Sequence, residues 1–357
     1  MQSIKNQNKE YRIIDLFAGI GGIRLGFEKA ANNLNAITEC VFTSEIDKYA
    51  CMTYRKNFPN DTHDPQSDIT LINENKDIPN FDVLLAGFPC QAFSIAGRRG
   101  GFEDIRGTLF FDIARILKVK KPAAFLLENV KGLQNHRSGK TFETILRVLR
   151  FDLGYKSAQA TTLNSKDFGV PQNRERTYIV GFKEGGGGFK FPSPSGIKVK
   201  VSDILEEHPV NVRYYISTVY LDALKRHRAR HEAKGHGFGY EILDLNGIAN
   251  AIVIGGMGKE RNLLIDKRLK DHTPETSIKG VVNKEGIRRM TPLEWERLQG
   301  FPDNFTVGVS NAQRYKQLGN AVSVPVLEAI SHNIIKELKS PHPLTKEYSY
   351  QLEMSLR

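Results

Sequence analysis

Four short apolar runs, Tyr11 to Phe17, Cys40 to Ser44, Asp82 to Ala86 and Ala123 to Leu127, alternate with segments whose apolar residues recur at helical spacing, Gly22 to Ala31, Lys48 to Asn57 and Thr108 to Lys118. A continuous apolar run of this length reads as a strand buried on both faces. Strand–helix alternation returns each strand parallel to the last and stacks helices on the sheet. The expected class is α/β: a parallel, doubly wound sheet with helices on both faces and a second, smaller domain. Thr141 to Arg150 reads as a further helix, and Tyr155 to Leu163 and Thr177 to Phe182 as later strands.

The texture then changes. Gly185 to Gly188 is a run of four glycines, followed by Phe191-Pro192-Ser193-Pro194-Ser195-Gly196. Flexible glycine beside stiff proline reads as a boundary. Periodicity stays weak to about Glu285, and basic residues cluster at Lys225 to His231; helical patterning returns at Thr291 to Leu298 and Val324 to Leu338. The expected organisation is a main domain beginning in residues 1–184, a smaller domain at 185–285, a hinge and return at 286–340, and a polar, poorly ordered tail at 341–357.

Formal net charge is +11, from 51 Lys and Arg against 40 Asp and Glu. So basic a balance points to a polyanionic partner, with nucleic acid first. No apolar run approaches the ~18 residues of a membrane helix, and Met1 to Glu10 lacks the apolar stretch of a secretory signal. The expected setting is the cytoplasm, with no membrane, reduced thiols and a monomer. The three cysteines, Cys40, Cys51 and Cys90, have no metal-site spacing and form no disulfide framework.

Chemistry gathers at the ends of the apolar runs. Asp15-Leu16-Phe17-Ala18-Gly19-Ile20-Gly21-Gly22 leaves a strand and opens a helix. Its glycines let the backbone approach a ligand closely. The dinucleotide spacing G-x-G-x-x-G fails at Arg24, so the methionine end of a nucleoside cofactor fits this turn at least as well as a phosphate. Glu45 stands where a ribose-binding acid is expected after the second strand, and Asp68, after the next segment, could bond an adenine amino group. Gly87-Phe88-Pro89-Cys90-Gln91 stops the third strand and puts Cys90 beyond its carboxyl end. A cytosolic cysteine is usually a small buried hydrophobe, but that position suits a nucleophile. Arg98, Arg99 and Arg106 follow it in a glycine-rich stretch. Nearby cations would favour the thiolate. Glu128, at the end of the fourth run, should feel desolvation, which favours the protonated form and suits a donor to a ring nitrogen; by itself it reads equally as a cap. Arg174 and Arg176 point the same way if Pro171 to Arg176 is extended. They suit a carbonyl oxygen and a phosphate, or a plain charged edge.

In this order, the pieces resemble the DNA cytosine-5 methyltransferases of bacterial restriction–modification systems. The resemblance covers nearly the whole chain outside roughly 184–285. It rests on Asp15 to Gly22, Glu45, Asp68, Gly87 to Gln91, Glu128-Asn129-Val130, Gln172-x-Arg174-x-Arg176, Arg289-x-Thr291-Pro292-x-Glu294, Leu298 to Pro302 and Gly319-Asn320-Ala321-Val322. It implies the Rossmann-like, doubly wound mixed sheet of the S-adenosylmethionine-dependent methyltransferase fold, with a target-recognition domain at 185–285. It implies that Cys90 attacks carbon 6 of a flipped cytosine in duplex DNA and that Glu128 bonds ring nitrogen 3. Arg174 helps hold the base, with Arg176 in the same motif. The cofactor, S-adenosylmethionine giving S-adenosylhomocysteine, lies against Asp15, Phe17, Ala18, Gly19, Gly21, Gly22, Glu45, Ile46, Asp68, Ile69, Pro89, Asn320 and Ala321, with no metal. Ser94, Arg98, Arg99, Arg106, Arg228 and Arg261 are the expected DNA contacts, and a cognate nuclease shares the site. Some members carry serine six residues beyond the nucleophile, where this chain has Ala96; Asn173 and Ala321 are lesser departures. Rival readings are an RNA (tRNA) cytosine-5 methyltransferase with the same residues and a catalytically silent DNA-binding regulator. A nicotinamide oxidoreductase lacks its glycine spacing.

Overall fold

The apolar runs do become strands. A computed structural model of the chain describes residues 9–89, 109–237, 239–255, 258–275 and 280–344. In chain order the elements are β1 (Glu10–Leu16), α1 (Gly22–Asn33), β2 (Ile37–Ser44), α2 (Lys48–Asn57), β3 (Val83–Gly87), α3 (Leu109–Lys120), β4 (Ala124–Val130), α4 (Lys140–Arg147), β5 (Gln159–Asn164), β6 (Gln172–Asn173) and β7 (Glu175–Phe182). Then come α5 (Thr218–Glu232), β8 (Ala249–Asn250), β9 (Leu263–Ile265), β10 (Ile287–Arg289), α6 (Pro292–Gln299), α7 (Asn311–Asn320) and α8 (Val324–Lys339).

Contacts group these elements into two compact units. One holds the described residues of Met1–Asn164, Glu175–Pro194 and Val324–Arg357; the other holds Ser165–Arg174 and the described residues of Ser195–Ser323. The first unit is built on a six-stranded sheet of order β2-β1-β3-β4-β7-β5. Strands β1 to β4 run parallel, while β7 is antiparallel to both β4 and β5, so the sheet is mixed, as the family resemblance implies. From β1 the chain steps to β2 on one side and then to β3 on the other. That reversal opens a crevice beyond the carboxyl ends of β1 and β3, where open α/β sheets bind ligands.

One core cluster joins Ile14, Leu84 and Phe125 of the sheet to Ile113 and Leu117 of α3 and Ile145 of α4. Helices α1 and α8 pack together closely enough that a Cβ added at Gly26 would lie 2.6 Å from the Leu327 Cβ and 3.0 Å from the Glu328 backbone nitrogen. Gly26→Val should therefore destabilise the first unit by about 2 kcal/mol. Overpacking costs about 1–3 kcal/mol, more than the few tenths that valine's helix propensity returns over glycine. A lowered denaturant midpoint would show it.

The glycine run has a different use from a hinge. Gly186 N–H donates to the Glu337 carboxylate at 2.8 Å, and Gly187 N–H to the His342 carbonyl at 2.9 Å. A Cβ on Gly187 would lie 2.1 Å from the Pro343 carbonyl oxygen. These glycines admit the segment after α8, so residues 341–344 of the expected polar tail are docked. The unit boundary falls after Pro194 instead.

In the second unit, Leu221 and Leu224 of α5 pack on Ile216, Leu263 and Ile287. Arg288 is wholly buried and bonds both Glu294 carboxylate oxygens, at 2.7 and 2.8 Å, and Asp266 at 2.9 Å. Thr291 and Glu294 form a capping box for α6. These bonds tie β10 and α6 to residue 266, so in contact terms residues 286–323 group with the smaller unit.

Candidate active site

At the carboxyl end of β1, Phe17 (φ 53°) and Gly19 (φ 56°) adopt left-handed backbone, and a Cβ at Gly19 would meet nothing within 4 Å among the described residues. Glu45, just past β2, accepts from Gly19 N–H and Asp47 N–H, both at 2.7 Å. The next residue, Ile46, is 72% exposed. Asp68 accepts from the Thr70 N–H at 2.9 Å and hydroxyl at 2.7 Å, which holds its carboxyl below the usual range. Asp15, near the end of β1, is fully buried, and among the described residues neither of its oxygens has a hydrogen-bond partner. Desolvation pushes its carboxyl well up, towards the neutral form.

A left-handed glycine turn, a carboxylate just past β2, another capping a 3-10 turn, an exposed isoleucine and a buried acid with no hydrogen-bond partner among the described residues fit the nucleoside cofactor expected here. Ile69 differs from expectation: it is buried in the core cluster and anchors its turn from beneath. Asn320 and Ala321 lie in the second unit, at the end of α7.

The reacting end is built on β3 and β4. Gly87 pairs with Glu128 in parallel register. Asn129 Nδ2 donates to the Phe88 carbonyl at 2.8 Å, which fixes the peptide leading to the exposed Pro89. Cys90, Ser94, Arg98, Arg99 and Arg106 lie outside the described residues. The other two thiols are buried, and burial pushes Cys40 up to about 11 and Cys51 up to about 12. Neither supplies thiolate at neutral pH.

Glu128 is buried, and Arg176 Nε lies 3.2 Å from its Oε1. Its carboxyl is therefore ion-paired, where the apolar run alone suggested an isolated acid. The two arginines of the motif do not act together. Arg174 is buried and donates to the Ile252 and Ala321 carbonyls at 2.7 Å and to Gly319 at 3.3 Å. Gln172 Nε2 bonds the Leu298 carbonyl and Gln299 Oε1, both at 3.0 Å. Gln172 and Arg174 thus brace the Gly319 to Ala321 turn, and Arg176 is the arginine beside the carboxyl. The strand alternation in the sequence could not show that the chain breaks between β6 and β7.

Of the expected DNA contacts in the second unit, Arg228 on α5 is exposed, paired with Glu232 at 2.7 Å and 5.6 Å from the Tyr240 ring centre. Arg261 is exposed in a 3-10 turn. Among the described residues, Cys40, Asp61 and His63 bring possible metal-ligand atoms within 4.8 Å of one another. Arg24 already engages both Asp61 oxygens, at 2.5 and 2.8 Å, so a guanidinium fills the cation's place there. Two groups escaped sequence reasoning: Asn129, whose signal was an amide directly after a buried acid, and Arg115 on α3, discussed below. No helix of the described residues is long and apolar enough to cross a membrane.

A sequence profile of the C-5 cytosine-specific DNA methylases matches residues 11–336. The chain is 55% identical over 340 residues to the Type II methyltransferase M.HpaII of Haemophilus parainfluenzae, covering 94% of this chain and 92% of that one. It is 43% identical to the Type II methyltransferase M.HaeII of Haemophilus aegyptius, covering 98% and 99% of the two. Among solved structures, Entamoeba histolytica methyltransferase EhMeth aligns with a TM-score of 0.68 at 20% identity over 93% of this chain and 100% of that one. S. pombe Dnmt2 methyltransferase aligns at 0.66 and 18%, over 92% and 99%.

Proposed function

Because this chain belongs to the C-5 cytosine-specific DNA methylases, we propose that Cys90 is its nucleophile and that Glu128 and Arg176 hold the target base. The overall activity is DNA cytosine-5 methylation. The observation that carries the site assignment is the Glu128–Arg176 pair, 3.2 Å apart, beside the Phe88 carbonyl that Asn129 tethers two residues before Cys90.

An aromatic carbon is a poor nucleophile, so the ring must first be activated. The Cys90 thiolate adds to carbon 6, and the ring electrons shift towards carbon 5 and nitrogen 3. Glu128 in its protonated form donates a hydrogen bond at nitrogen 3 and stabilises that electron-rich adduct, while Arg176 orients the carboxyl. S-adenosylmethionine, when bound, supplies a methyl group on a sulfonium centre. Carbon 5 would take this methyl, with S-adenosylhomocysteine as the leaving group; loss of the carbon 5 proton to a base would then return the 5–6 double bond and release the sulfur of Cys90. The reaction needs the cytosine outside the stack, at a cost of a few kcal/mol offset by pocket contacts. The second unit, with Arg228 and Arg261, is the part proposed to read the duplex.

Phe17, Gly19, Glu45, Ile46 and Asp68 are the proposed cofactor residues. Glu45 is proposed to take the ribose hydroxyls and Ile46 to cover the base. Glu45→Ala should weaken S-adenosylmethionine binding at least about tenfold, since charge-assisted hydrogen bonds are worth about 1.5–3 kcal/mol. Calorimetric titration checks it, and an unchanged Kd would remove Glu45 from the site.

We further infer a protective role beside a nuclease of the same specificity. Bisulfite sequencing of DNA from cells expressing the chain tests the whole reading. Methylcytosine confined to one short duplex sequence is expected. Unmodified DNA together with methylated transfer RNA would overturn it.

A further inference from the structure

Arg115 lies on α3, outside every motif used above, with its side chain 14% exposed. Its guanidinium donates to the Ile69 carbonyl, to the Ile72 carbonyl at 2.8 Å and to Glu74 at 2.6 Å, while its Nε meets Asp112 at 3.0 Å. The two carbonyls bracket the single 3-10 turn Ile69–Leu71 that Asp68 caps. Such a short turn has no stability of its own. Its neighbour Leu71 is 82% exposed, and Ile69 is the one buried residue of the turn. On the upstream side the chain is tied to β2: Ser67 N–H donates to the Glu45 carbonyl at 3.1 Å, and the Ser44 hydroxyl to the Ser67 carbonyl at 3.0 Å. On the downstream side Arg115 supplies the tie. Asp68 thus sits between two anchors, one made by a strand edge and one by a guanidinium.

We propose that Arg115 is a positioning residue for the adenine side of the cofactor site, acting through Asp68; this rests on the reading of Asp68 as the residue that bonds the adenine amino group. A planar fork with five donors can span two carbonyls and a carboxylate at once, whereas the lysine ammonium is a compact point charge on a flexible stem. The role follows from geometry: Arg115 touches backbone oxygens of the turn, and the turn sets where the Asp68 carboxylate points.

The test uses the full chain with Arg115→Ala, Arg115→Lys, Asp68→Ala and the Arg115→Ala/Asp68→Ala pair. Two donors are compared: S-adenosylmethionine and its 6-oxo analogue, S-inosylmethionine, which lacks the amino group. Arg115→Ala should raise KM for S-adenosylmethionine about tenfold, the range seen when a supporting residue behind a ligand is lost. Turnover at saturation should stay within about twofold, because the reacting end is untouched. Preference for the adenosyl donor over the inosyl donor should fall by a similar factor. The double variant should be no worse than Asp68→Ala alone, since both act on one contact. Should Arg115→Ala fail to fold, Arg115→Lys decides, with an expected KM rise of about threefold and a matching loss of donor preference. If Asp68→Ala changes neither KM nor donor preference, the adenine reading of the turn fails. If Asp68→Ala does change them while the folded Arg115 variant keeps wild-type donor preference, the proposal is overturned and the reading stands. A loss shared equally by both donors overturns it as well.

Discussion

Cys90→Ala should reduce methyl transfer by at least ~10⁴-fold, the scale expected when a covalent nucleophile is removed and only binding effects remain. Cofactor affinity should be unchanged, because the residues proposed to hold the cofactor lie on the turn after β1, on the turn after β2 and on the turn at Asp68. No other thiol among the described residues can take over: Cys40 and Cys51 are buried, and burial pushes them up to about 11 and about 12. A duplex carrying 5-fluorocytosine makes the test sharper. After methyl transfer, carbon 5 of that base has no proton to lose, so the sulfur–carbon bond cannot be released by elimination. With S-adenosylmethionine present, the wild-type chain should become covalently linked to the duplex through residue 90, and Cys90→Ala should not. Full turnover in the variant, or a link at another residue, would remove the nucleophile assignment.

Much of this arrangement was open to reading from residue order. Strands buried on both faces write themselves as continuous apolar runs, so β1 to β4 stand out, and the glycines after β1 and the proline after β3 mark the carboxyl edge where ligands bind. The same pattern implies only a parallel sheet; the mixed sheet, with β7 antiparallel to its neighbours, followed from the family resemblance. Helix α7 was not visible, because Tyr315, Gln317, Leu318 and Gly319 are its only buried residues and leave almost no apolar period. Buried charge pairs were hidden for a related reason. Nothing in residue order shows that Arg288 is buried against Glu294 or that Arg115 reaches the Ile72 carbonyl. The unit boundary falls at the proline end of the stretch 185–196, because the glycines at its start serve close approach to residues 341–344. At the site, residue identity pointed to Cys90, Glu128 and the acids. It could not divide the work of two arginines two positions apart, because the break between β6 and β7 sends Arg174 to the carbonyls of one unit and Arg176 to Glu128 in the other.

Glu128→Gln should lower turnover by about 10²–10⁴-fold, the usual range for loss of a positioned acid–base group, with DNA and cofactor affinities near wild type. Glutamine keeps the side-chain length and one acceptor oxygen but cannot alternate between donating and accepting a proton, so addition at carbon 6 loses its stabilising partner at nitrogen 3. The substitution also leaves Arg176 without its ion pair. Stranding a buried charge can cost about 3–5 kcal/mol, but the Arg176 side chain is 15% exposed and also donates to the Glu175 carbonyl at 2.7 Å. The folding cost should therefore fall well below that figure, and the thermal midpoint of the variant separates it from catalysis. If Arg176 works by orienting Glu128, then Arg176→Ala made on top of Glu128→Gln should cost much less than Arg176→Ala alone, because neighbours in one network are not additive. Turnover of Glu128→Gln within twofold of wild type would dismiss the carboxyl from the chemistry. Additive losses would leave Glu128 in place and assign Arg176 a contact of its own with the base.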